Sequence, residues 1–114
     1  METKLMIYAL VIFCALLGAT GQIFFKLASE DINSSIVSWL FNYKLMIGLF
    51  FYGIATVLFV VALKFGNLSI LYPIIATSYI WVAIFAKTFL GETFPPFKWA
   101  GLLLIIVGIG IVTR

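Results

Sequence analysis

The polar residues inside the apolar runs of this chain are few, and they recur at helical spacing. Cys14, Gly18, Gln22 and Lys26 are four apart, so on one helix they share a face. The stripe starts small and ends polar: a groove that a backbone or ligand can approach closely gives way to an amide and an ammonium. Gln22 carries both donors and acceptors, which need partners wherever they are buried. Counted along a helix, Lys26 lies about 31 Å from Leu5, at the edge of a hydrocarbon core about 30 Å thick. Two roles suit it there, snorkelling to the headgroups or holding an anionic substrate group.

A second stripe runs through Ser69, Tyr72, Ala76, Tyr79 and Ala83, with Thr77, Ser78 and Trp81 beside it. Tyrosine hydroxyls deep in a membrane need a partner, and a position facing a cavity provides one. Pro73 removes one backbone donor and crowds the Ser69 carbonyl, so a kink or hinge is expected near there. The expected substrate-binding set is Gln22, Lys26, Ser69, Tyr72, Tyr79 and Trp81. Gly18, Gly21, Pro73 and Ala76 are expected to shape or gate the space. Gly101 and Gly108, seven apart, give a flat strip that suits a dimer interface.

What is missing narrows the chemistry. The chain has no histidine and four acidic residues, none of them inside an apolar run. Proton-coupled export of lipophilic cations requires a buried ionisable group, and general acid–base catalysis requires comparable groups. The residues therefore suggest no enzyme and no cofactor. Cys14 is the only cysteine, which excludes a disulfide framework and a thiolate metal site. The seven Lys and Arg residues are spread singly, as flank charges rather than a nucleic-acid patch.

The elements that must carry these stripes follow from composition. Of 114 residues, 65% are hydrophobic and 10% charged, with a mean hydropathy of +1.25. A soluble domain is about half apolar and about a quarter charged. Too little polar surface remains to face water, so the fold class is all-α integral membrane, a single domain over residues 1–114. Four apolar runs are expected to meet the length of a membrane helix, about 20 residues: 5–27, 43–63, 68–90 and 97–112. The first is longer than the roughly 7–15 residues of a signal-peptide core and reads as a retained helix.

Polar or breaker stretches separate the runs, and Thr93 is a plausible N-cap with Pro95 and Pro96 in the first turn that follows. Residues 36–41 suggest a short interfacial stretch anchored by Trp39. Four spans place Lys4, Lys64 and Arg114 on one side and Lys26, Lys44, Lys87 and Lys98 on the other. So even a balance gives the positive-inside rule little to act on. Dual insertion and an antiparallel dimer of inverted repeats are the expectation, an arrangement used for alternating access.

Three stretches carry a resemblance to the drug/metabolite transporter superfamily, at its four-helix end: GQIFFKLA (21–28), LYPIIATSYIWV (71–82) and LGETFPPFKWAGLLLIIVGIG (90–110). Small multidrug resistance exporters resemble the chain at Gly21, Lys26 and Tyr72. At their essential first-span glutamate it has Gly18, and at their third-span tryptophan it has Ile75. The EamA-like subunits that translocate aminoarabinose-phosphoundecaprenol resemble it more closely, at Gly21, Gln22, Lys26, Tyr72-Pro73, Trp81-Val82, Glu92 and Trp99.

That resemblance implies a multi-pass inner-membrane flippase or transporter for a polyprenyl-phosphate-linked sugar. Its partners would be membrane lipid, the lipid-linked sugar or another small amphipathic substrate, and a second subunit, identical or paralogous. Export of small cations or metabolites, and a non-transporting accessory subunit, are the alternatives.

Overall fold

The computed structural model describes residues 2–114, the side chain of Glu2 excepted. Six helices follow in order: α1 Glu2–Ser29, α2 Ile36–Leu40, α3 Tyr43–Leu63, α4 Leu68–Ile75, α5 Ser78–Phe89 and α6 Pro96–Val112. Three stretches are long and apolar enough to cross a membrane: Thr3–Ser29, Tyr43–Leu63 and Leu68–Phe89, the last made of α4 and α5 together. At 17 residues, α6 is shorter. It extends about 26 Å, below the thickness of a typical hydrocarbon core, so the expectation of four full-length spans is corrected to three and a shorter fourth.

The helices form a slab of 49 × 36 × 19 Å, about two helix diameters thick. At its centre α1 packs against α3, α4 and α5, while α6 touches the rest mainly through α4. The α1–α3 contact is close because both helices present glycine. A Cβ added to Gly21 would sit 2.9 Å from the Gly48 carbonyl oxygen, and one added to Gly48 would lie 2.6 Å from the Phe25 ring. Without side chains there, the backbones approach and gain dispersion contacts, the main attraction available between helices in lipid. Phe24 stacks on Phe51 and Phe25 tilts against Tyr52, each pair at 5.9 Å between ring centroids, on either side of this contact.

Asn42 fastens the same pair of helices. It is buried, its Nδ2 donates to the Ala28 carbonyl at 2.9 Å, and its Oδ1 accepts from the Lys44 and Leu45 amides at the start of α3. One side chain thus bonds the Ala28 carbonyl, which also accepts from the Asp31 amide, and satisfies orphan amides at the beginning of α3. Nearer the other end, Val11, Ala62, Leu71 and Ile74 form a small apolar cluster that joins α1, α3 and α4.

The third span differs from the sequence expectation in where it breaks. The helix is interrupted at Ala76–Thr77, three residues beyond Pro73. There the Ala76 amide is shared between the carbonyls of Tyr72 and Pro73, and the Thr77 amide donates to Ile74. The i→i−3 bonds among these tighten the chain between α4 and α5. Thr93 does not cap α6: Pro95 holds the N-cap position and Pro96 the first turn, while the Thr93 carbonyl accepts from Lys98 Nζ at 3.4 Å. The expected interfacial stretch is the single-turn α2, with Trp39 exposed.

Candidate functional site

Four helices leave a space between them at the level where both stripes lie. The cavity measures about 450 Å³, and its wall includes Gly18 and Gln22 of α1, Tyr52 and Thr56 of α3, Tyr72 of α4, and Tyr79 of α5. That volume falls within the range of small-molecule sites, about 300–1,000 Å³. Residues 14–22 of α1 line it. They are 10–18 positions beyond Lys4, or roughly 15–27 Å, in the middle and far half of the membrane.

Each helix contributes for a local reason. On α1, Gly18 leaves open space, since a Cβ there would meet nothing within 4 Å. Gln22 projects its amide one turn further along. On α3, Tyr52 and Thr56 are four apart, and the Thr56 hydroxyl donates to the Tyr52 carbonyl at 2.9 Å, leaving its oxygen lone pairs free to accept. The Phe59 ring meets the Tyr72 ring edge-on at 6.5 Å and forms an aromatic wall. The α4–α5 break sets Ala76 and Ser78 into the wall and turns Tyr79 toward the same space as Tyr72. Tyr72 and Tyr79 each keep 63% of their surface accessible, so the cavity opens laterally along the tyrosine side.

The wall contains hydroxyls, one side-chain amide and aromatic faces, with no carboxylate and no ammonium. Such a surface can both donate and accept hydrogen bonds to a neutral polar group and can cover an apolar one. Among the described residues no cluster of His, Cys, Asp or Glu could hold a metal ion.

The two stripes named from the sequence are only partly brought together. Gly18, Gln22, Tyr72, Ala76 and Tyr79 line the cavity, whereas Gly21, Lys26, Ser69, Pro73 and Trp81 do not. Gly21 instead faces the α3 backbone, where it lets the two helices pack closely. Lys26 is exposed, one turn beyond Gln22 toward the membrane boundary. Ser69 is exposed in the first turn of α4. Trp81 is not part of the cavity wall; its Nε1 and the Thr77 hydroxyl, four residues earlier, are buried without a hydrogen-bond partner among the described residues. Gly101 and Gly108 meet nothing within 4 Å of an added Cβ, so that face of α6 is unpartnered within one chain.

Sequence reasoning missed Tyr52 and Thr56 as cavity residues. The signal was present as the series Gly48, Tyr52, Thr56 and Phe59 at helical spacing, but it reads equally as a packing face until α1 is placed against it.

Helices of membrane length around a lateral, solute-sized cavity define a multi-pass membrane protein with room for a substrate. The EamA-like transporter family matches residues 3–114. The probable 4-amino-4-deoxy-L-arabinose-phosphoundecaprenol flippase subunit ArnE of Salmonella newport is 30% identical over 112 residues, covering 94% of this chain and 96% of the relative. Its counterpart in Escherichia coli O157:H7 is 31% identical over the same coverage. An uncharacterized protein of Sinorhizobium fredii is 41% identical over 68 residues, 59% of this chain and 58% of that protein. No solved structure matches. The chain belongs to the EamA-like transporter family, and it is a multi-pass protein of the inner membrane.

Proposed function

We propose that this transporter flips a polyprenyl-phosphate-linked sugar, with the sugar in the cavity and the phosphate at Lys26. The observation that carries the reading is the cavity's chemistry: about 450 Å³ lined by Gln22, Tyr52, Tyr72, Ser78 and Tyr79 without a charged side chain. A sugar presents hydroxyls that donate and accept, which hydroxyl and amide groups match without ion desolvation. Lys26, one turn from Gln22 on the same face, supplies a cation at the boundary where a lipid phosphate travels. The lateral opening beside Tyr72 and Tyr79 leaves a path for the polyprenyl tail. The names of the full-length ArnE relatives support the same substrate class, an amino sugar on phosphoundecaprenol.

The working unit in this reading is a pair of chains. The relatives are named as subunits, the slab is only 19 Å thick, and α6 presents Gly101 and Gly108 without a covering partner. A second copy in inverted orientation, or a paralogous chain, closes the cavity against that face. No acid–base pair lines the cavity, so the reading includes no catalysed reaction.

The test is translocation of a fluorescent polyprenyl-phosphate-linked amino sugar in proteoliposomes. Tyr79→Ala is expected to slow it about tenfold, by removing one well-placed hydrogen bond and its ring. Lys26→Ala is expected to slow it comparably, with Lys26→Arg restoring most of the rate. Rates unchanged in both alanine variants, or uptake of small organic cations in place of the lipid, sink the proposal.

A further inference from the structure

A second groove, as large as the first at about 450 Å³, opens at the opposite end of α1. It lies between the first turns of α1 and the turn that joins α3 to α4, and Lys4, Tyr8, Gly66 and Asn67 are in its wall. The Tyr8 hydroxyl is buried and has no hydrogen-bond partner among the described residues. A phenol oxygen removed from water and left unbonded is costly, so such an atom beside a groove marks a place for a polar ligand. The Lys4 ammonium lies 5.9 Å from the centroid of the Tyr8 ring, which sets a cation over the same side chain. Asn67 is the N-cap of α4, yet its side chain makes no capping bond. Its amide is therefore uncommitted, at a helix end where unpaired backbone N–H groups favour negative charge. Lys64 lies over the ring of Phe65, a wall residue, at 5.9 Å. Glu2 is the only acidic residue in the sequence near this end.

We infer that this groove binds a phosphate-bearing group at the terminal-side face of the membrane, held by Lys4 Nζ, the Tyr8 hydroxyl and the Asn67 amide. All three can donate, and the Lys4 ammonium adds a positive charge, so together they suit an anion better than a cation or an apolar chain. Lys4 and Lys26 are 22 residues apart on one helix, about 33 Å, which spans a hydrocarbon core. The chain thus presents an anion-attracting position at each leaflet, with the neutral cavity between them. The terminal-side site does not depend on the substrate proposed above, because any phosphate headgroup satisfies its donors.

Short-chain phosphatidic acid serves as the probe, titrated onto the purified protein and counted by native mass spectrometry, with the matching diacylglycerol as control. The wild type is expected to bind phosphatidic acid and to discriminate against diacylglycerol. Tyr8→Phe and Lys4→Gln are each expected to weaken phosphatidic acid about tenfold, the size of one hydrogen bond to a charged group, while Lys98→Gln, outside both sites, leaves this binding within about twofold. Tyr8→Phe keeps the ring and its packing, so a fold check by circular dichroism should be unchanged. Competition by millimolar inorganic phosphate identifies free phosphate as a sufficient ligand, and its absence identifies the lipid headgroup; either supports the site. Binding of Tyr8→Phe equal to wild type, or diacylglycerol held as well as phosphatidic acid, overturns it. Failure of sugar-lipid transport with this binding intact refutes the proposed function and leaves the site standing.

Discussion

The α1–α3 pair and the α4–α5–α6 half are built on opposite principles. In the first, two glycines bring backbones together, aromatic pairs brace the contact, and Asn42 ties one helix end to the next start. In the second, a proline and an i→i−3 turn interrupt the span, two tyrosines stay largely open, and α6 buries no residue. One half is specified by contacts that tolerate little change, while the other is held by few. A transporter needs both kinds: a fixed wall to define a site and a compliant wall to open it. Local regions with few buried contacts are the ones that move at low cost.

The sharpest way to break this contrast is to substitute its glycines. Gly48→Leu drives a side chain into the Phe25 ring and the Gly21 carbonyl, where a Cβ alone would already stand at 2.6 and 2.9 Å. A loss of about 3 kcal/mol or more is expected, the upper range for overpacking, read as a collapse of the melting temperature in detergent. Gly18→Ala is the matched control, because its Cβ meets nothing within 4 Å; stability within about 0.5 kcal/mol of wild type is expected.

Next in size is Asn42→Ala. It removes the bond to Ala28 and the cap of α3 together, so about 2 kcal/mol should be lost. Hydrogen exchange is expected to rise at the amides of Lys44 and Leu45 first. Uniform exchange across the whole chain instead would mean that the two halves do not differ in local stability.

In the compliant half, Pro73→Ala returns a donor for the Ser69 carbonyl. Stability should change by less than about 1 kcal/mol, while transport should fall as the span stiffens. Transport at the wild-type rate would remove the α4–α5 break from the mechanism. The smallest effect is expected for Asp31→Asn. Its 3.2 Å ion pair with Lys44 is solvent-accessible, and such pairs contribute little once screened. The melting curve should overlay that of the wild type at moderate salt.

Much of the fold could be read from the chain because lipid imposes simple rules. Apolar runs of membrane length must be helices, as their backbone groups have no water to bond, and the breaks at 29–35, 64–67 and 91–95 fall where polar and proline residues dictate. The small-to-polar stripe on α1 was equally plain, since a helix fixes which residues share a face. The position of the third-span break was less legible: Pro73 announces a disturbance, but the hydrogen bonds of the next turn decide where the helix is interrupted.

The amino-acid sequence by itself determined the solvent, the helices, the faces along each helix, and the exclusion of a carboxylate from the spans. Those follow from local chemistry and from the 3.6-residue period. Only the tertiary structure decided which faces meet. Helix pairing depends on surface shape summed over many weak contacts, and that sum set Gly21 against the α3 backbone and outside the cavity wall. It brought Tyr52 and Thr56 to the wall and left Trp81 and Lys26 outside it.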